Sequence, residues 1–188
     1  MILFINACVR SDSRTRRLAG AVLEKLGGEY EELILEDVSF PVTDEEFLRR
    51  RDAVIAEERF DDPVCDLARQ FAAADRIVIA APYWDLSFPA ILKAYFEQIT
   101  VSGVTFKNMG DGSYKKLCKA KKLYYVMTAG GPIYDPNLGY EYVRTLVSEF
   151  YGIKDVKLFT AEMLDVDGAD IPEIMKNAKL AIDQYFEK

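Results

Sequence analysis

The feature that most constrains this chain is alternation: short apolar β-type runs take turns with segments of helical periodicity along its whole length. Ile2 to Ile5 is a β-type run that stops at Asn6. Residues 13 to 26 read as a helix, with Leu18, Val22 and Leu26 spaced by four and Gly27-Gly28 closing it. Leu33 to Leu35 is a second short strand. Asp62-Pro63 opens a helix whose Val64, Leu67, Ala68 and Phe71 fall at i, i+3, i+4 and i+7. Arg76 to Ala81 is a third strand, its near-continuous apolar run suited to cover on both faces. Ser87 is placed to cap a helix carrying Ile91, Leu92, Tyr95, Phe96 and Ile99. Lys122 to Thr128 is a fourth strand. Val143, Leu146, Val147 and Phe150 form another helical stripe ending near Gly152, and Val156 to Thr160 is a fifth strand. Asp170 and Glu173 form a capping-box pair before a last helix to about Tyr185. Such an order implies right-handed crossovers and an α/β architecture with helices on both faces of a parallel sheet. Five strands suit a doubly wound sheet of order 2-1-3-4-5.

Two stretches exceed a minimal version of that architecture. Residues 37 to 61 form a long, charged connection. Residues 100 to 121 form a second insertion, with Gly103, Gly110 and Gly112 and a hairpin expected at Val104-Thr105-Phe106. Long insertions serve as lids or interfaces, or are plain elaborations; these residues leave both open. A chain of 188 residues, half apolar and 29% charged, fits one domain over residues 1–188. A net charge of −7 argues against a general nucleic-acid binder or a polybasic membrane protein. No apolar run approaches the ~20 residues of a membrane span, and Met1 to Asn6 lacks the basic start of a secretory signal. Cys8, Cys65 and Cys118 are odd in number and widely spaced, so neither a disulfide framework nor a zinc site is expected, and the reading is a reduced, cytoplasmic protein. There is no histidine, which excludes a Ser-His-Asp triad, a His-ligated zinc and a His general base.

In a sheet of this order, ligands bind beyond the carboxyl ends of the strands, where the strand order reverses. That singles out three loops. The first, Asn6 to Thr15, ends at a helix N-terminus and carries Ser11, Ser13 and Thr15 with Arg10 and Arg14; Arg16 and Arg17 follow. Free amides, the helix dipole and arginines suit a phosphate monoester. It is neither a Walker loop nor a dinucleotide fingerprint. Taken alone it is equally a Ser N-cap with solvated arginines; its place after the first strand favours phosphate. The second loop, Pro82-Tyr83-Trp84-Asp85-Leu86, holds the only Trp and suits the wall of a planar heterocycle, or else core packing. The third, Thr128 to Tyr134, has adjacent Gly130 and Gly131, whose amides can donate to an oxygen gaining negative charge, or which serve only a turn after the strand. Together, around one crevice, the three describe a flavin mononucleotide (FMN) site.

These residues resemble those of the FMN-dependent NADH-azoreductases and the related NAD(P)H:quinone oxidoreductases. The likeness rests on Ile79-Ala80-Ala81-Pro82-Tyr83-Trp84, on Pro89 to Glu97, on Gly103-Val104-Thr105-Phe106-Lys107 and on Thr128-Ala129-Gly130-Gly131. It is weakest over residues 37 to 61. The resemblance implies a flavodoxin-like fold and non-covalent FMN, with NADH or NADPH giving hydride to flavin N5 and a quinone or azo compound taking it in a second half-reaction. It places Ser13, Arg14 and Thr15 at the phosphate. It places Tyr83, Trp84, Asp85 and Leu86 along the isoalloxazine edge, and Thr128, Gly130 and Gly131 at its pyrimidine end. It also implies a homodimer whose second subunit completes the substrate pocket.

Three positions depart from the family pattern. Asp85 stands where Asn is common, a charge expected to make a facing flavin harder to reduce. Ala129 stands where Arg is common. Tyr134 can supply one member of the Tyr-His pair that quinone reductases often use, and nothing supplies the His. Two other readings remain at this stage. One is a flavodoxin-like electron carrier or flavin-binding regulatory module. The other is a phosphate-ester hydrolase, in which Cys8 reads as a small buried residue and no Cys-x5-Arg signature is expected from it.

Overall fold

In the computed structural model, which describes residues 1–187, the strands alternate their side chains between two helical layers. The first strand, β1 (Ile2–Asn6), lies at the centre. It pairs in parallel with β2 (Tyr30–Ile34) on one side and β3 (Arg76–Ala80) on the other. Beyond β3 come β6 (Lys122–Thr128) and β7 (Asp155–Ala161), also parallel, so the sheet order is β2-β1-β3-β6-β7. Counted along this sheet alone, that is the expected 2-1-3-4-5.

Strand residues two apart share a face. Leu3, Ile5, Ile77, Ile79, Leu123 and Tyr125 point to one side, where they pack with α3 (Asp66–Ala73), α4 (Ala90–Ile99) and α5 (Leu138–Leu146). Ile2, Phe4, Val78, Ala80, Tyr124 and Val126 point to the other, against α1 (Arg14–Leu26) and α6 (Ile171–Phe186). Both faces are dry, as the apolar runs of β1 and β3 require.

Several local expectations are corrected. The second strand begins at Tyr30, not Leu33, and Leu35 opens a 3-10 turn. It is an edge strand with its first residues in solvent, so hydrophobicity marks only its end. The charged connection 37–61 contains a helix, α2 (Glu45–Ala56), capped by Asp44, whose side chain accepts from the Phe47 amide at 2.9 Å. Only Val54 of that helix is fully buried, so its stripe is too thin to show in the sequence. The hairpin in 100–121 forms from β4 (Phe106–Asn108) and β5 (Tyr114–Lys116), later than expected. Thr105 is instead buried, its hydroxyl donating to the Ile99 carbonyl at 2.7 Å beneath the end of α4. Ser87 does not cap α4; Pro89 occupies the N-cap, without a side-chain bond. After α5 the helix widens into a π turn, Val147–Tyr151, before Gly152 stops it at φ 82°. Only half of the expected capping box forms: Asp170 accepts from the Glu173 amide, while the Glu173 carboxylate pairs with Lys176.

Candidate functional site

The carboxyl ends of β1, β3, β6 and β7 surround a cavity of about 210 Å³. It is lined by Ser13, Arg14, Thr15, Pro82, Tyr83, Trp84, Thr128 and Gly130, all singled out from the sequence. Cys8, Val9, Arg10, Asp12, Ala129, Leu164 and Asp165 complete the lining. Ser11, Asp85, Leu86, Gly131 and Tyr134 lie outside that lining. A larger groove of about 660 Å³ runs between α1 and α6, away from the strand ends, with a mainly aliphatic lining. It lacks the backbone features developed below.

The loop after β1 is shaped by Asn6, which is buried. Its side chain accepts from the Cys8 amide at 3.0 Å and donates to Glu32 at 2.9 Å. The chain then turns, Ser13 N–H donating to the Arg10 carbonyl at 3.1 Å, and Ser13 caps α1 by accepting from the Arg16 amide. The helix N-terminus therefore faces the cavity with a hydroxyl cap and no acidic residue in its first turn. Arg10 borders the cavity and forms no ion pair with any described residue, whereas Arg14 pairs with Asp165 at 2.6 Å. Arg16 pairs with Glu32.

Thr15 is not free for a ligand in the way the sequence implied. Its hydroxyl and that of Thr128 are 2.6 Å apart and both residues are buried, which bolts the start of α1 to the end of β6. Thr15→Val is expected to destabilise the protein by about 1–3 kcal/mol, because the Thr128 hydroxyl loses its partner in a dry place. Thr15→Val/Thr128→Val should recover part of that loss. Urea unfolding of the wild type and these two variants tests the point; equal stability of the single and double variants would count against it.

The third loop is held by its carbonyls. Met163, Leu164 and Asp165, which follow β7, donate backbone N–H groups to Gly131, Ala129 and Gly130 at 3.0, 3.2 and 2.8 Å. The amides of Gly130 and Gly131 find no acceptor among the described residues, and a Cβ built on Gly131 meets nothing within 4 Å. Two adjacent donors thus remain available beside the cavity. The segment Leu164-Asp165 was missed from sequence. The signal for it was positional: it follows the carboxyl end of a strand adjacent to β6, where the strand-end rule applies equally.

The second loop is a tight turn in which Trp84 and Ser87 exchange backbone bonds at 2.8 and 3.3 Å. Its central residues, Asp85 and Leu86, have φ of 51° and 65°. Neither is glycine, so this left-handed backbone costs about 1–2 kcal/mol per residue, less for Asp. Gly139 braces the turn; a Cβ there would stand 3.0 Å from the Ser87 carbonyl carbon. The turn holds Trp84 at the cavity wall, 38% exposed, and puts Asp85 and Leu86 in solvent. Asp85 is thereby screened by water, which reduces its influence on any bound group. Exposed Val9, Leu86, Tyr134 and Met163 extend an apolar rim over these same loops.

Cys8 requires one correction. Five residues separate it from Arg14 and Thr15 follows, so a Cys-x5-Arg spacing is present after all. The geometry still disfavours a nucleophile. The thiol is buried, donates to the Ala80 carbonyl at 3.7 Å, and is pushed up in pKa chiefly by burial, against smaller opposing effects of the Ser13 hydroxyl and the Arg16 amide. A protonated thiol at neutral pH does not attack. Among the described residues, no group of three or more Cys, Asp or Glu is placed to hold a metal.

A helix N-terminus, an aromatic wall and a glycine loop thus meet at the switch point of a doubly wound 2-1-3-4-5 sheet, the place where α/β proteins of this order bind their ligands. The chain belongs to the flavodoxin-like fold family, whose sequence pattern matches residues 1–186. It is 43% identical to an FMN-dependent NADH:quinone oxidoreductase of Coprothermobacter proteolyticus over 66% of this chain and 63% of that protein, a match spanning less than two thirds of the relative. With the FMN-dependent NADH:quinone oxidoreductase of Clostridium perfringens it shares 36% identity over 92% of this chain and 90% of that protein. Its backbone follows that of an FMN-dependent NADH-azoreductase from Bacillus anthracis, solved in complex with FMN. The TM-score is 0.77 at 20% identity, covering 99% of this chain and 97% of the other, a likeness of fold.

Proposed function

We propose that this protein is an FMN-dependent NAD(P)H oxidoreductase that reduces quinones or azo compounds in two alternating half-reactions, with residues 1–188 forming one FMN-binding domain. The observation that carries the reading is the meeting, in one cavity, of the α1 N-terminus and two arginines with Trp84 and the glycine loop. The relatives' names support FMN and favour NADH as the donor.

The residues present fit FMN. Arg10, Arg14 and the Ser13 cap at the α1 N-terminus bring together donors suited to a single phosphate. Pro82, Tyr83 and Trp84 offer a wall of planar and apolar surface. The free amides of Gly130 and Gly131 suit an oxygen at the pyrimidine end, where negative charge grows on reduction. Bound there, FMN would supply hydride acceptance and donation, chemistry that protein side chains do not provide. The protein orients the flavin, supplies backbone donors fixed in advance by the 163–165 clamp, and leaves an apolar rim against which a flat donor or acceptor can lie. Cys8, Cys65 and Cys118 are all free and buried, which suits work in the reducing cytoplasm. No helix among the described residues is long and apolar enough to cross a membrane.

Purified protein is expected to take up one equivalent of FMN, visible as the flavin absorption bands, and then to oxidise NADH rapidly when a quinone is supplied. Flavin released by denaturation should chromatograph as FMN; stoichiometric FAD would count against the site as drawn. Bound flavin without acceptor-dependent NADH or NADPH oxidation would instead indicate an electron carrier.

We further propose a homodimer in which the partner covers the apolar rim. Val9, Trp84, Leu86, Tyr134, Leu138 and Met163 are all exposed on the strand-end loops or next to them, a concentration that marks interfaces or ligand sites. Light scattering at micromolar concentration should give the mass of two chains, and a fully active monomer would refute the dimer.

A further inference from the structure

Asp165 stands apart from the other residues of the cavity. Like Asp12 it brings a carboxylate to the cavity, but it alone of the two is tied to a cavity arginine, although its side chain is largely exposed. Its backbone N–H donates to the Gly130 carbonyl at 2.8 Å, and its carboxylate fills the space that a side chain at Gly130 would need. Its Oδ1 accepts from Arg14 Nη1 at 2.6 Å, while the Leu164 carbonyl accepts from the same nitrogen at 3.2 Å. Nη1 carries two hydrogens, so both are committed, and Arg14 keeps only its Nη2 and Nε donors for a ligand. The arginine is thereby anchored to a loop 150 residues away in sequence. Its charge is also largely offset by a neighbour that would lie close to any anion it held.

We propose that Asp165 is a positioning residue that sets how strongly the site grips the phosphate of its ligand: it aims Arg14 while restraining the net attraction for the phosphate dianion. The inference rests on the FMN reading above and deepens it. Two arginines and two carboxylates, Arg10, Arg14, Asp12 and Asp165, line the cavity, so it is close to neutral in side-chain charge. Of the two carboxylates, only Asp165 makes an ion pair with a cavity arginine. Asparagine at this position keeps an oxygen that can accept from Nη1 and removes only the charge.

The test compares FMN with riboflavin, which shares the ring and lacks the phosphate. Both affinities are measured by quenching of flavin fluorescence on wild-type protein, Asp165→Asn and Asp165→Ser, with thermal unfolding as a check on folding. Asp165→Asn is expected to bind FMN about fivefold more tightly at low salt, the size of one partly solvated charge, and riboflavin as the wild type does. The dissociation constant for riboflavin divided by that for FMN thus rises about fivefold, a change that a purely structural role would not produce. Asp165→Ser removes the charge and the aim on Arg14 together, so it should raise the ratio by less than Asp165→Asn does. An unchanged or lower ratio in both variants, with wild-type protein binding flavin, overturns this inference alone. Wild-type protein that binds neither flavin overturns the FMN reading and this inference with it.

Discussion

Arg14→Ala is expected to weaken FMN binding by tenfold or more while leaving riboflavin affinity within about twofold. Each charge-assisted hydrogen bond to a phosphate contributes roughly 1.5–3 kcal/mol, and the loss of even one exceeds a factor of ten. The structure refines that figure in two ways. Arg14 has one nitrogen committed to Leu164 and Asp165, so its remaining donors carry the interaction. Arg10, which lines the same cavity and has no ion-pair partner among the described residues, remains in the variant and keeps a cation at the site. Stability should change little, because the Arg14–Asp165 pair has side chains 32% and 65% exposed and such pairs contribute at most about 1 kcal/mol. The test is a pair of fluorescence titrations with a thermal melt. Unchanged FMN affinity would return Arg14 to the role of a tether between α1 and the loop after β7. The predicted sign is opposite to that for Asp165→Asn, so the two variants together separate the cation that grips from the carboxylate that restrains it.

How much of this was legible in the sequence depends on burial. β1, β3 and β6 showed themselves because both of their faces are dry, leaving unbroken apolar runs such as Ile77-Val78-Ile79-Ala80. The strand-end rule then pointed to the right loops. The edge strand β2 and the helix α2 were misplaced or missed because solvent reaches most of their length, and polar residues there carry no period. In the site, residue types could suggest a phosphate but not who pairs with whom. Thr15 reads as a phosphate donor until the fold sets Thr128 against it, 113 positions away. Arg14 reads as a free cation until Asp165 arrives from the far end of the sheet. Trp84 was legible as a wall residue; the left-handed turn at Asp85-Leu86 was not, since it breaks the usual preference for Asn and Gly at such positions.

The second large effect lies away from the cavity and explains how the two long insertions are joined. Gly103 sits in the 100–121 insertion at φ 94°, with its amide donating to the Phe106 carbonyl at 2.6 Å. A Cβ there would overlap the ring of Phe60, which belongs to the 37–61 insertion; Cε1 alone would stand 2.6 Å away. The ring therefore rests on the bare glycine backbone, and the two insertions meet through that contact. Gly103→Ala should cost about 2–4 kcal/mol, combining left-handed strain of about 1–2 kcal/mol with the overpacking penalty of a displaced aromatic. Gly112→Ala provides the control, since Gly112 has a similar φ of 87° but nothing within 4 Å of its would-be Cβ. It should lose only the backbone share, about 1 kcal/mol. The difference between the two variants measures the clash with Phe60. Phe60→Ala removes the ring, so the further cost of Gly103→Ala in that background should shrink toward the Gly112 value, a coupling of about 1–2 kcal/mol between residues in contact. Chemical denaturation of the four variants supplies every leg of the comparison. Equal losses at Gly103 and Gly112 would mean that the Phe60 ring moves aside freely, and that the two insertions are held together by something other than this seat.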